Sequence, residues 1–258
     1  MMQGRIIRGD AFRVIPTLPD GCVRACVTSP PYAEQRKRQY VGVPESEYSE
    51  WTARWMRLLK PKLKADGSAL IVLRAHVRDG QVLDYVLRTR LRLREEGWIE
   101  PGELVWLKPD APPLGSVDRP RRTWENVLWF SKSRRPFVSL KTANRGFDGS
   151  GRYGAGGDSP VHGGQRRRVR GQMSRFPDHV LARIGETERG IRHPAMFPIT
   201  LADKLILAFT QAGDLILDPF CGSGTTCRSA RDLDRRFVGI EVVPKYAAMA
   251  KRLLRRGD

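Results

Sequence analysis

The stretch from Leu215 to Thr226, reading Leu-Ile-Leu-Asp-Pro-Phe-Cys-Gly-Ser-Gly-Thr-Thr, constrains the fold of this chain more than any other. Three apolar residues suit a short buried strand, Asp218-Pro219 ends it, and Gly222 to Gly224 bends the backbone before a helix starting near Thr225. Strand, glycine turn and helix N-terminus together form a shelf on which a polar ligand can meet bare backbone N–H groups. Packing alone can also require such a turn, so the next strand matters. Arg236 to Glu241 ends in an acid about twenty residues after the loop, where a carboxylate suits the hydroxyls of a ribose. The glycines depart from the dinucleotide pattern G-x-G-x-x-G, which points to a nucleoside cofactor other than NAD.

A chain of 258 residues can bury a substantial core and suits one large α/β domain, alone or with an insertion. Its formal charge of +18 calls for a polyanionic partner. With no amphipathic basic anchor and no apolar run of about 20 residues, nucleic acid is expected rather than membrane. Cys22, Cys26, Cys221 and Cys227 are too few and too irregularly spaced for a zinc ribbon or a disulfide scaffold, so no metal is expected and the thiols read as reduced. The start, Met-Met-Gln-Gly-Arg, lacks an apolar signal region, and a cytoplasmic protein is expected.

Short strands are expected at Ile6–Arg8, ending in Gly9-Asp10, and at Ala25–Thr28, running into Ser29-Pro30-Pro31-Tyr32. Ser46 is a candidate cap for a helix carrying Tyr48, Trp51, Trp55, Leu58 and Leu59, whose tryptophans suit a core better than a base-stacking platform. Ala69–Leu73 reads as a strand, and Gln81 to Arg94 as a helix with Val82, Leu83, Val86 and Leu87 inward. Leu104–Lys108 and Glu125–Phe130 suit an antiparallel pair. Between Ser131 and Gly190 the composition shifts: eleven glycines in sixty residues, 13 Lys and Arg against 5 Asp and Glu, and a run of Arg166, Arg167, Arg168 and Arg170. Beyond it, Thr200 and Asp203 suit a helix cap, and Pro244 opens a final helix. Alternating strands and helices, starting mid-sheet and returning to the centre last, imply a doubly wound, mostly parallel sheet. The loops after Thr28 and Leu217 then face each other across its switch-point crevice.

Asp-Pro-Phe-Cys-Gly-Ser-Gly-Thr-Thr followed by Glu241 resembles the S-adenosylmethionine loop of the amino-methyltransferases that act on DNA. Thr28-Ser29-Pro30-Pro31-Tyr32 resembles their catalytic tetrapeptide, and His193-Pro194-Ala195-Met196-Phe197-Pro198 their motif upstream of the cofactor strand. Catalytic motif first and cofactor loop last is the permuted order called the β class. The Trp106-x-Lys108 and Glu125-x-x-x-x-Phe130-x-Lys132 patterns are similar to the family's as well.

The resemblance implies a circularly permuted Rossmann-like methyltransferase sheet with a basic, loop-rich insertion. Residues 1–130 form the catalytic half, 131–190 a target-recognition insertion and 191–258 the cofactor half. It implies S-adenosylmethionine contacts by Asp10, Thr28, Phe197, Asp218, Pro219, Phe220, Gly222, Ser223, Gly224, Thr225 and Glu241, catalysis by Ser29, Pro30, Pro31 and Tyr32, and DNA contacts by the arginine run. Double-stranded DNA is the expected partner, with a cognate restriction endonuclease as a further candidate, and monomer and homodimer both stay open. Site-specific methylation at cytosine N4 is the first reading, because Ser29 stands where many relatives have Asp or Asn. Adenine N6, an RNA substrate and an inactive DNA-binding homologue are the alternatives.

An exocyclic amine is a poor nucleophile because its lone pair is delocalised into the ring. Acceptors that hold its hydrogens out of the ring plane aim the lone pair at a sulfonium methyl. Ser29 Oγ and the Pro30 carbonyl are the expected acceptors, proline placing its C=O rigidly, and Tyr32 can stack on the base once it has left the helix. The transfer is then mostly a matter of orientation.

Overall fold

The computed structural model describes residues 4–33, 42–108, 123–139, 180–181 and 197–255. The arginine run at 166–170 and most of the 131–190 insertion lie outside them.

The strands are β1 (Arg5–Arg8), β2 (Val23–Thr28), β3 (Leu63–Leu73), β4 (Val77–Arg78), β5 (Gln81–Val82), β6 (Glu103–Leu107), β7 (Trp124–Ser131), β8 (Val180–Leu181), β9 (Leu215–Asp218) and β10 (Arg236–Glu241). The α-helices are α1 (Ala11–Val14), α2 (Glu45–Leu59), α3 (Tyr85–Glu95), α4 (Ile199–Phe209), α5 (Thr225–Asp232) and α6 (Pro244–Arg255). Eight strands form one sheet in the order β1-β10-β9-β2-β3-β7-β6-β8, while β4 and β5 make a separate hairpin. The run from β1 to β3 is parallel, and β7 pairs antiparallel with both β3 and β6.

Side chains alternate across the sheet with the period of two that extended backbone imposes. Cys26, Ile71, Leu73, Leu215, Leu217, Val238 and Ile240 enter one core with Tyr48, Trp55, Met56, Leu59 and Leu93 of α2 and α3. Ala25, Val27, Leu70, Val72, Ile216 and Phe237 enter the other with Leu201, Leu205 and Phe209 of α4, Cys227 of α5, and Ala247 and Ala250 of α6. Helices on both faces make this the doubly wound architecture.

The chain does not start mid-sheet: β1 is the edge strand, and β9 and β10 are inserted between it and β2. A link through α1 carries the chain from β1 past two strand positions, which only the C-terminal segment later fills. The last strands therefore join the first half across the middle of the sheet, and β9 beside β2 is the switch point.

Three local expectations give way to stronger signals. Residues 81–84 are not helical: Asp79 (φ 49°) and Gly80 (φ 81°) form the tip of the β4–β5 hairpin, so α3 starts at Tyr85. Val82 and Leu87 are consequently exposed, while Val86 is buried. Pro44, not Ser46, precedes α2, with Glu45 and Glu47 in the first turn favourable to the helix dipole. Pro198 likewise starts α4, which ends at Phe209, and Gly213 serves the turn into β9 at φ +79°.

Gly239 of β10 shows how tightly the sheet packs on α5. A Cβ there would lie 2.6 Å from Cys227 Sγ and from Ile6 Cδ1, and 3.0 Å from Cys221 Sγ. Gly239→Val should therefore cost about 1–3 kcal/mol through overpacking. Urea unfolding measures it; an unchanged midpoint would mean that the two thiols yield freely.

Candidate active site

The carboxyl ends of parallel strands converge on one rim of the sheet. Here β1 delivers Gly9-Asp10, β2 delivers Ser29, β3 delivers Arg74, β9 ends in Asp218 and β10 in Glu241. Because β7 runs antiparallel to β3, with Asn126 opposite Leu73, its start brings Glu125 to the same rim, and Lys108 follows the end of β6. A cavity of about 750 Å³ opens there.

On one side lies the glycine loop. Thr28 Oγ1 donates to Asp218 Oδ1 at 2.7 Å, tying the strand before the Ser-Pro-Pro-Tyr turn to the loop strand beside it. Asp218 Oδ1 also accepts from Phe220 N at 3.1 Å. Burial pushes the Asp218 carboxyl up to about 6 despite these donors. Glu241 spans the loop base, its Oε2 accepting from Gly222 N at 2.9 Å and its Oε1 from Val243 N at 2.8 Å. Burial raises its pKa too, against the pull of those N–H groups.

The shelf is thus less bare than the sequence implies. Phe220 N is held by Asp218, Cys221 N by the Ile240 carbonyl, Gly222 N by Glu241 and Gly224 N by the Cys221 carbonyl. Buried donors are paired wherever a partner can be reached, and two carboxylates and two backbone carbonyls take these four. The loop consequently presents carboxylate oxygens, each with lone pairs to spare, as well as backbone.

On the other side lies the Ser29-Pro30-Pro31-Tyr32 turn. Tyr32 Oη donates to Glu125 Oε2 at 2.9 Å and accepts from Ser29 Oγ at 3.4 Å. Glu125, 5 % exposed, is also bonded by Lys108 Nζ, and Arg74 Nη1 stands 3.8 Å from its Oε1. Burial, and then the Glu125 charge, raise the Tyr32 hydroxyl pKa well above the usual phenol value. Burial pulls the Lys108 ammonium down, and Glu125 opposes that shift.

Of the residues singled out from sequence, Asp10, Ser29, Pro30, Pro31, Tyr32, Phe197, Asp218, Pro219, Phe220, Gly222, Ser223, Thr225 and Glu241 line this single cavity. Asp10 also caps α1, its Oδ1 accepting from Phe12 N. Thr28 is fully buried behind the cavity, holding Asp218. Gly224 turns the chain at φ +91°, where an added Cβ would lie 3.0 Å from Ala250 Cβ. Arg166, Arg167, Arg168 and Arg170 lie outside the described residues.

Sequence reasoning assigned no site role to Arg74, Lys108 or Glu125, although the Trp-x-Lys and Glu-x-x-x-x-Phe patterns held the clue to two of them. Trp51, read as core, lines the cavity beside Phe12 and Phe220, at ring-centroid distances of 6.1 and 5.3 Å.

Comparison with known proteins adds what geometry does not. A family model described as DNA methylase matches residues 23–252. The type II methyltransferase M.Cfr9I of Citrobacter freundii is 27% identical over 98% of this chain and 88% of its own length. M.PvuII of Proteus hauseri is 27% identical over 98% and 84%. The solved PvuII DNA methyltransferase, described as cytosine-N4-specific, superposes with a TM-score of 0.78 at 24% identity, covering 99% of this chain and 87% of its own. A putative DNA modification methylase of Thermus thermophilus, solved with S-adenosyl-L-methionine, gives a TM-score of 0.69 at 24% identity over 98% and 93%.

Proposed function

We propose, because the chain belongs to the DNA methylase family, that it transfers a methyl group from S-adenosylmethionine to the exocyclic amine of a base flipped out of DNA, cytosine N4 being the target. The observation that carries this reading is the 2.7 Å bond from Thr28 Oγ1 to Asp218 Oδ1, which fixes the Ser-Pro-Pro-Tyr turn beside the glycine loop over one cavity.

The residues present fit the donor. Glu241 offers carboxylate oxygens for ribose hydroxyls, Asp10 a further acceptor, and Asp218 a buried carboxylate suited to the donor's positive charge. Bound S-adenosylmethionine supplies a methyl group activated by a sulfonium.

The chain's own residues do the rest by orientation. Ser29 Oγ and the Pro30 carbonyl accept the two amine hydrogens, drawing the nitrogen lone pair out of conjugation with the ring. Tyr32 stacks on the extruded base, offsetting part of the few kcal/mol that leaving the helix costs. The relatives' role as type II methyltransferases, the cytosine-N4 specificity stated for the PvuII enzyme and the neutral, short Ser29 side chain support cytosine. Segment 131–190, with its excess of arginine, carries target recognition in this reading and neutralises phosphates. Double-stranded DNA in the cytoplasm is the partner. Among the described residues no helix is long and apolar enough to cross a membrane.

The test is to incubate the purified protein with mixed-sequence duplex DNA and isotope-labelled S-adenosylmethionine, digest to nucleosides and identify the labelled product by mass spectrometry. Label in N4-methylcytosine is the expected result. Label in N6-methyladenine would keep the reaction class and overturn the base assignment. No labelled base, with donor binding shown separately, would overturn the DNA substrate and direct the same assay to RNA.

A further inference from the structure

We infer that Glu125 is a positioning residue that sets the hydrogen-bond polarity of Ser29, forcing its hydroxyl to act as an acceptor toward the target amine. The inference rests on the methyl-transfer reading above and deepens it.

A serine hydroxyl both donates and accepts, so by itself it is an ambiguous partner for an amine. Turned one way, Oγ offers lone pairs to the amine hydrogens and frees the nitrogen pair for attack. Turned the other way, its O–H points at the nitrogen and occupies that very pair. A catalytic serine in this role needs something to choose for it.

The structure contains the chooser. Ser29 Oγ lies 3.4 Å from Tyr32 Oη, which lies 2.9 Å from Glu125 Oε2. An ionised carboxylate has no proton to give, so Tyr32 must donate to Glu125. Tyr32 Oη is then left with lone pairs only, so the Ser29 proton is drawn toward it. Both lone pairs of Ser29 Oγ are released toward the cavity. Two cations hold the far end of the chain in its acceptor state: Lys108 bonds Glu125 Oε1, and Arg74 Nη1 stands 3.8 Å from the same oxygen. Glu125 is nearly inaccessible to water, so solvent cannot easily replace this instruction.

Glu125 arrives from the opening residues of the antiparallel strand β7, Arg74 from the end of β3 and Lys108 from the end of β6. No bond to substrate or donor is required of Glu125. Its action passes through Tyr32.

Glu125→Gln separates this from a merely structural role. The amide has nearly the same shape but can donate, and donation to Tyr32 Oη reverses the chain, turning the Ser29 proton toward the amine. Expected are a fall in kcat on the order of 10- to 100-fold, an unchanged melting temperature within a few degrees, and unchanged S-adenosylmethionine binding. Ser29→Ala combined with Glu125→Gln should lose little more than Ser29→Ala alone, because both changes abolish one acceptor. Multiplying losses in the double variant, or full turnover by Glu125→Gln, would overturn the inference. If Glu125→Gln does not fold, Tyr32→Phe keeps the ring and cuts the same link; it should lower kcat and be equally non-additive with Ser29→Ala, and additive losses would overturn the inference. A wild-type protein that labels no amine overturns the methyl-transfer reading itself, which is a distinct result.

Discussion

Ser29→Ala should lower kcat for methyl transfer by a factor of about 10²–10³, the loss typical of removing one preorganised polar group from a transition state. S-adenosylmethionine binding should change little, because the acceptors proposed for the donor are Glu241, Asp10 and Asp218, not Ser29. Ser29 is the first residue after β2, in a segment anchored from Thr28 to Asp218, so the alanine variant keeps the backbone of the turn. The Pro30 carbonyl would then hold one amine hydrogen alone, and the nitrogen pair would stay partly conjugated. Single-turnover rates with labelled donor, beside equilibrium binding of the donor, make the measurement. Full turnover would sink the catalytic assignment of the turn. Weakened donor binding with an unchanged rate would move Ser29 from catalysis to cofactor binding.

Asp218→Asn should alter the dependence of stability on pH. Burial raises the Asp218 carboxyl from 3.8 to about 6, with the nearby Glu241 adding to the rise and the Thr28, Thr226 and Phe220 donors opposing it. A folded pKa above the unfolded one means that folding favours the protonated form. The stabilising contribution is fully present below about pH 4 and is lost as pH rises through about 6. Two pKa units correspond to about 3 kcal/mol. Asparagine keeps an Oδ1 that can accept from Thr28 and Phe220 N, so the variant should match the wild type near pH 4 and exceed it by up to about 3 kcal/mol near pH 8. Urea unfolding of both proteins across that range reads the difference, and a flat difference would show that Asp218 does not titrate between them. The cost of an ionised buried carboxylate in the free protein is understandable if a cationic donor offsets it on binding, and saturating S-adenosylmethionine should then narrow the gap.

Glu125 shows why a polar cluster can escape a reading of sequence. Arg74 and Lys108 lie one residue past the ends of β3 and β6, and Glu125 is the second residue of β7, so the three are far apart in sequence. They meet only because β7 runs back along β3, so that its first residues and the last residues of β3 and β6 share a rim. Trp51 is similar: its helical spacing beside Tyr48 and Trp55 reads as core, and only the approach of Phe220 from the glycine loop turns its ring into cavity wall. At Gln81 to Leu83 the apolar spacing favours helix, yet the Asp79-Gly80 turn just before it closes a hairpin instead.

Much of what is written in short-range terms was legible in the sequence, the Asp79-Gly80 hairpin and the helix caps at Pro44 and Pro198 being the exceptions. Leu215 to Thr226 had to be strand, tight turn and helix, because consecutive apolar residues, a proline stop and two glycines at positive φ leave the backbone few other states. The Ser-Pro-Pro-Tyr turn after an apolar strand was equally local. The tertiary structure alone decided that β1 would lie at the sheet edge, that Asp218 and Glu241 would each take one of the loop's own N–H groups, and that Glu125 would reach Ser29 through Tyr32. Those outcomes depend on which strand ends meet at one rim and on the demand that buried donors find acceptors, conditions that exist only once the sheet has closed.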